Sequence, residues 1–193
     1  GVNSGVLSSV APSGIGNGGD VNIQARSFSL SDGAQLATST LGQGNSGNIQ
    51  VNAADSVSFS SGSRLQALTS GQGNAGNITI NADDTVSFDS SNAVSNVIFN
   101  AVFRVQDKGR GGNINIQARF LSLTNNAQLN SSTFGQGDAG NIQVNATDSV
   151  SFSGSSAILA VTAGLGNAGD VMINAGDAVS FDGQGTGIPS GIN

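Results

Sequence analysis

Gly47-Asn48-Ile49-Gln50-Val51-Asn52-Ala53-Ala54-Asp55-Ser56-Val57-Ser58-Phe59 is the stretch whose reading decides the fold. Ile49 and Val51 alternate with Asn48, Gln50 and Asn52. That is the two-residue period of a strand with one apolar face. Val57 and Phe59 alternate with serines and predict a second strand. Further on, Leu65, Ala67 and Thr69 alternate with Arg64, Gln66 and Leu68, a weaker third strand. Between them lie Ala-Asp, Ser-Gly-Ser and Gly-Gln-Gly-Asn-Ala, all turn chemistry. No segment carries a helical period.

The same pattern returns along the whole chain. A Gly followed by Asn or Asp and then Ile or Val recurs at Gly19, Gly47, Gly76, Gly112, Gly140 and Gly169, at spacings of 28, 29, 36, 28 and 29 residues. Those spacings contain a longer period of 93, because each of the first three anchors recurs 93 residues later. When residues 19–89 are laid over residues 112–182, 45 of the 71 positions are identical. A three-coil unit has been duplicated. Residues 187–193 lie over residues 1–7 after two such periods and keep the Gly, Ser and Gly positions. The expected organisation is one segment, residues 1–193. Residues 1–18 end a preceding unit, 19–111 form one three-coil unit, and 112–193 form a second, truncated one. The chain reads as a window from a longer array.

Like residues at like positions imply like environments. The first-strand pairs are Val21/Ile23, Ile49/Val51, Ile78/Ile80, Ile114/Ile116, Ile142/Val144 and Val171/Ile173. Second-strand pairs run from Phe28/Leu30 through Val57/Phe59 and Val86/Phe88 to Leu121/Leu123, Val150/Phe152 and Val179/Phe181. An alanine follows the first strand in every coil, at Ala25, Ala53, Ala82, Ala118, Ala146 and Ala175. One coil cannot enclose an apolar interior, but a stack can. The predicted fold is all-β, a right-handed parallel β-helix (β-solenoid) with three strands per coil and one longer coil. Pairing of each strand with its equivalent about 4.8 Å away makes a rod of about 30 Å. The right hand follows from the usual sense of parallel crossovers. An antiparallel sandwich would also use short strands and Gly-rich turns, but it leaves the once-per-coil identities unexplained. The register predicts Phe59 stacked near Phe88, and Phe152 near Phe181.

Composition narrows the chemistry. The chain has no Cys and no His, so it lacks a thiol nucleophile, a disulfide, an imidazole base and an imidazole ligand. A net charge of −6 argues against nucleic acid as a partner. No apolar run approaches the length of a membrane span.

The runs Gly44-Asn45-Ser46-Gly47-Asn48-Ile49-Gln50-Val51 and Gly73-Asn74-Ala75-Gly76-Asn77-Ile78-Thr79-Ile80 carry a family resemblance. So do Asp55-Ser56-Val57-Ser58-Phe59 and Gly33-Ala34-Gln35-Leu36 with the following Ser39-Thr40-Leu41-Gly42-Gln43-Gly44. They resemble the stem repeats of filamentous-haemagglutinin-like proteins exported by two-partner secretion, especially the large cyanobacterial ones. The resemblance implies a β-helical passenger in an extracellular or cell-surface location, acting as an adhesin or fibrous structure. The export domain of that family carries Asn-Pro motifs, and this sequence has none, so the likeness is to the stem.

Three sets of residues are candidates for more than scaffolding. Asp55, Asp84, Asp148 and Asp177 each sit eight residues after an anchor glycine. With Arg26 and Arg119 at the shorter turns, they suggest two surface rows, Arg26–Asp55–Asp84 and Arg119–Asp148–Asp177. Those carboxylates are the weak calcium candidates, against a plain reading as turn residues bonded to local backbone. No other cofactor is expected. Asp20, Asn48, Asn77, Asn113, Asn141 and Asp170 should form one ladder, and Gln24, Asn52, Asn81, Gln117, Asn145 and Asn174 another. The long coil holds Phe99, Phe103, Arg104, Lys108 and Arg110, an apolar and basic patch suited to a partner or a glycan, set against a longer third strand plus a loop.

Two function classes follow. One is a structural or adhesive module whose partners are neighbouring coils of the same or identical chains, and also cell-surface glycans. The other is a polysaccharide-binding or polysaccharide-degrading β-helix. Degradation needs clustered carboxylates in one groove. Here the Asp residues are spread through turns and Glu is absent, which favours the non-enzymatic class.

Overall fold

The computed structural model describes residues 4–90, 97–103, 108–183 and 191–192. The chain enters with β1 (Gly5–Val10). The first full coil is β2 (Val21–Ala25), β3 (Phe28–Leu30) and β4 (Gln35–Thr40). Next come β5 (Ile49–Ala53), β6 (Val57–Ser60) and β7 (Arg64–Thr69). The long coil holds β8 (Ile78–Ala82), β9 (Thr85–Asp89) and β10 (Val97–Val102). The second unit repeats the order with β11 (Ile114–Ala118), β12 (Phe120–Thr124) and β13 (Gln128–Thr133). It continues with β14 (Ile142–Ala146), β15 (Val150–Ser153) and β16 (Ala157–Thr162). The final coil is β17 (Val171–Ala175), β18 (Val179–Asp182) and β19 (Gly191–Ile192). No helix occurs among the described residues.

Every third strand joins the same sheet. The three parallel sheets run β2-β5-β8-β11-β14-β17, β3-β6-β9-β12-β15-β18 and β1-β4-β7-β10-β13-β16-β19. The fold is the β-solenoid expected, three strands per coil. The register matches the sequence alignment residue for residue. Val21 pairs with Ile49, Ile49 with Ile78 and Ile78 with Ile114, and the column continues through Ile142 to Val171. In the second sheet Phe59 pairs with both Leu30 and Phe88. Gly191 and Ile192 pair with Ala157 and Ile158, so β19 stands in the sheet that begins with β1, as its likeness to Gly5 and Val6 requires.

The interior is a continuous apolar column. Ile49, Val57, Leu65, Ile78, Ile80, Val86, Ile114 and Ile142 are all at or below 1% exposure. The Phe59 and Phe88 rings stack with centroids 4.6 Å apart and planes within 3°. Phe152 and Phe181 stack at 4.7 Å and 10°. Such contacts add about 0.5–1.5 kcal/mol beyond area burial. At the last coil one side of the stack is open, so Phe181 is 46% exposed despite facing inward.

Two local devices set coil geometry. The turn from second to third strand takes two successive positive φ angles. They are 53° and 74° at Asp32 and Gly33, and 56° and 66° at Asn125 and Asn126. Asp, Asn and Gly tolerate that region best, which explains the composition there. The anchor glycines are a matter of space. A Cβ on Gly76 would stand 1.9 Å from the Gly47 carbonyl oxygen of the coil before it.

The expected longer third strand and loop of the long coil fall largely on residues 91–96 and 104–107, which lie outside the described residues. β10 has six residues and pairs in full with β7 and β13. The extra residues fall on both sides of it.

Candidate functional site

The best-defined polar construction is the first expected ladder. The Asn48 backbone N–H donates to Asp20 Oδ1 at 2.7 Å. Asn77 N–H donates to Asn48 Oδ1, Asn113 N–H to Asn77 Oδ1 and Asn141 N–H to Asn113 Oδ1, each at 2.9 Å. Asp170 N–H closes the series on Asn141 Oδ1 at 2.8 Å. Each side-chain oxygen therefore satisfies the backbone of the coil that follows. The ladder has a direction, and it crosses the boundary between the two units without a break. Of the second expected ladder the structure shows the two Asn–Asn steps, Asn81 to Asn52 and Asn174 to Asn145, both amide-to-amide bonds at 2.8 Å.

A third ladder escaped the sequence reading. Asn45 N–H donates to Asn17 Oδ1, Asn74 N–H to Asn45 Oδ1 and Arg110 N–H to Asn74 Oδ1, at 2.8–2.9 Å. Asn167 N–H donates to Asp138 Oδ1 at 2.9 Å. Its signal was available: each member stands two residues before an anchor glycine. Arg110 occupies that place in the long coil and has no acceptor to offer the next one. Its Nε instead lies 3.7 Å from Asp138 Oδ2, with both side chains substantially exposed.

Inside the third corner, threonine hydroxyls do the work of caps. Thr40, Thr69, Thr133 and Thr162 each donate to the carbonyl five residues on, at 2.6–3.0 Å. Asn100 is fully buried in the long coil. It donates to the Gly76 carbonyl at the start of its own coil and accepts from the Gly112 N–H, tying that coil to the next.

The candidate aspartates stand in one row rather than two. Asp84 N–H bonds the Asp55 carbonyl and Arg119 N–H the Asp84 carbonyl, at 2.9 and 2.8 Å. Asp148 N–H bonds the Arg119 carbonyl and Asp177 N–H the Asp148 carbonyl, at 3.0 and 2.9 Å. Arg26 opens the same corner, next to the Ala25 carbonyl that receives Ala54 N–H. Hydroxyls supply side-chain partners: Ser27 to Asp55, Thr85 to Asp84 and Ser149 to Asp177, at 3.2–3.4 Å. Among the described residues no three acidic side chains lie close enough together to hold a metal ion.

The aromatic part of the long-coil patch does assemble. Phe99 and Phe103 meet edge to face at 6.3 Å, and Phe103 lies 6.1 Å from Phe134 of the next coil. Phe103 is 56% exposed, and Lys108 and Arg110 are exposed beside it in the chain. Arg104 lies outside the described residues. A shallow groove of about 350 Å³ runs between the two loop ladders, lined by Arg110, Asn113, Asp138, Asn141 and Asn167 among others.

Set against protein-family models, curated proteins and solved structures, the chain gives no match. Its reading rests on this geometry. The construction that recurs in every coil is a device for joining coils. The groove and the aromatic cluster occur beside the one long coil. No helix among the described residues is long and apolar enough to cross a membrane.

Proposed function

We propose that the chain is a structural stem module: a stiff rod segment of a secreted or cell-surface fibre, continued coil on coil by further units. The directional ladder from Asp20 to Asp170 carries this reading. It commits one turn side chain in each coil to the next coil's backbone and passes the unit boundary as if it were any other step. Along this ladder every coil has the same joint, so units add by repeating it. The secreted location and the adhesive role rest on the resemblance of the repeats to filamentous-haemagglutinin-like stems. The module is read as non-enzymatic, since its carboxylates are spread along an edge and bonded to hydroxyls and Arg.

Particle mass and length measured across concentration test the reading. Rods that lengthen in whole multiples show joining between chains. A strictly monomeric 19.0 kDa species leaves joining only within one longer polypeptide. A compact, non-rod particle would sink the proposal.

The groove beside Arg110 and Asp138 favours a second reading, polysaccharide binding. Planar amides, a carboxylate and a guanidinium are suited to paired hydroxyls on a sugar ring. Incubation with acidic and neutral polysaccharides, with and without calcium, separates the two. Retention without cleavage supports binding, and chain cleavage would replace both readings with an enzyme.

A further inference from the structure

The three outer faces of the rod differ. Outward positions in the β2-β5-β8-β11-β14-β17 sheet are Asn, Gln or Thr apart from Met172. Those of the β3-β6-β9-β12-β15-β18 sheet are Ser, Thr or Asp apart from Phe120. The third sheet turns Leu7, Leu68, Phe99, Leu159 and Val161 outward among Gln, Ser and Asn side chains, by the same alternation that turns Leu36, Leu65 and Ile98 in. The Phe103–Phe134 pair extends this surface at its edge. Leu7 and Val161 are exposed, at 68% and 38%.

Acidic charge is also absent from this face. Arg64 is the only charged residue in β1, β4, β7, β10, β13 and β16 together. All twelve acidic residues of a chain with net charge −6 lie elsewhere. Two such chains repel one another over most approaches. The β2-β5-β8-β11-β14-β17 face is also free of acidic residues, but its outward side chains are polar, so the third sheet's face alone combines low charge with apolar surface.

We infer that the outer face of the β1-β4-β7-β10-β13-β16 sheet is the docking surface for a second copy of this chain, the two rods packing side by side. The dimensions suffice. Six strands at about 4.8 Å, each about 20 Å long, give a footprint of roughly 580 Å² per copy. Both copies together bury about 1,200 Å², above the ~1,000 Å² a specific interface needs. A sheet also matches a copy of itself in strand spacing, so rows of side chains on the two faces interleave in aligned packing about 10 Å apart. The contact uses the same patch on both partners, so it closes at two chains instead of growing.

Sedimentation velocity across concentration tests this. The expected result is a reversible species near twice the 19.0 kDa chain mass. Phe103→Asp and Val161→Asp should each weaken the association at least tenfold, while Gln143→Asp on the polar first sheet leaves it unchanged. The two face variants lie on different strands' edges, so one decides if the other fails to fold by circular dichroism. A monomer at every concentration overturns the inference, as does a monomer that binds polysaccharide through Phe103. Open-ended growth insensitive to Phe103→Asp also overturns it, and that outcome leaves the stem reading standing.

Discussion

Arg119 Nε lies 3.1 Å from Asp84 Oδ1, so an arginine of the second unit reaches back to an aspartate of the first. The same guanidinium sits over the Phe120 ring, 4.5 Å from its centroid. The pair spans the joint between repeats, where the backbone already carries Arg119 N–H to the Asp84 carbonyl. Both side chains are about half exposed, 53% and 45%, so the joint owes its strength to the backbone ladder more than to the charges.

Arg119→Ala should therefore cost little, about 0–1 kcal/mol, and the difference should shrink in high salt as screening removes what remains. Urea unfolding followed by circular dichroism at low and high salt measures this. The chain has no Trp or Tyr, so intrinsic fluorescence is a poor probe.

Phe59→Ala should be among the most damaging changes. The ring is 2% exposed and stacked on Phe88, and its loss leaves a cavity in mid-stack. The expected loss is about 3–5 kcal/mol. Phe181→Ala, at the open coil, should cost clearly less by the same measurement, because that ring is stacked on one side only.

Gly76→Ala tests the close approach of successive coils. Its Cβ would sit 1.9 Å from the Gly47 carbonyl oxygen, backbone that cannot swing away. A loss of about 1–3 kcal/mol or more is expected. Gly183→Ala has nothing within 4 Å of the added carbon and should leave the thermal midpoint unchanged.

Asn77→Ala removes the acceptor for the Asn113 N–H and should cost about 0.5–1.5 kcal/mol. Asn77→Asp keeps the acceptor, as Asp20 does naturally, and should cost less. Amide hydrogen exchange at Asn113 should speed up in the alanine variant only. Equal exchange in both would show that the bond contributes nothing.

Much of the fold was legible because stacking converts period into contact. Once Ile49, Ile78, Ile114 and Ile142 are known to recur once per coil, their column is settled, since parallel pairing places equivalents face to face. The ladder through Asn48 and Asn77 follows by the same logic. The Asn45 and Asn74 ladder was equally periodic but went unread, because a residue inside a Gly-rich turn looks like mere turn chemistry.

What the sequence by itself determined is the set of neighbours along each column: strand type, register, the phenylalanine stack and the duplication of a three-coil unit. Only the tertiary structure decided which neighbour a long polar side chain chooses. Arg119 turns back to Asp84 instead of forward to Asp148, because the backbone lays it one ladder bond from both and the Phe120 ring fixes its direction. The structure also decided where the apolar surplus goes. Leu68, Phe99 and Leu159 read as parts of three separate strands. Strand pairing sets them on one outward face, because closure of the coil lays the three strands in one sheet.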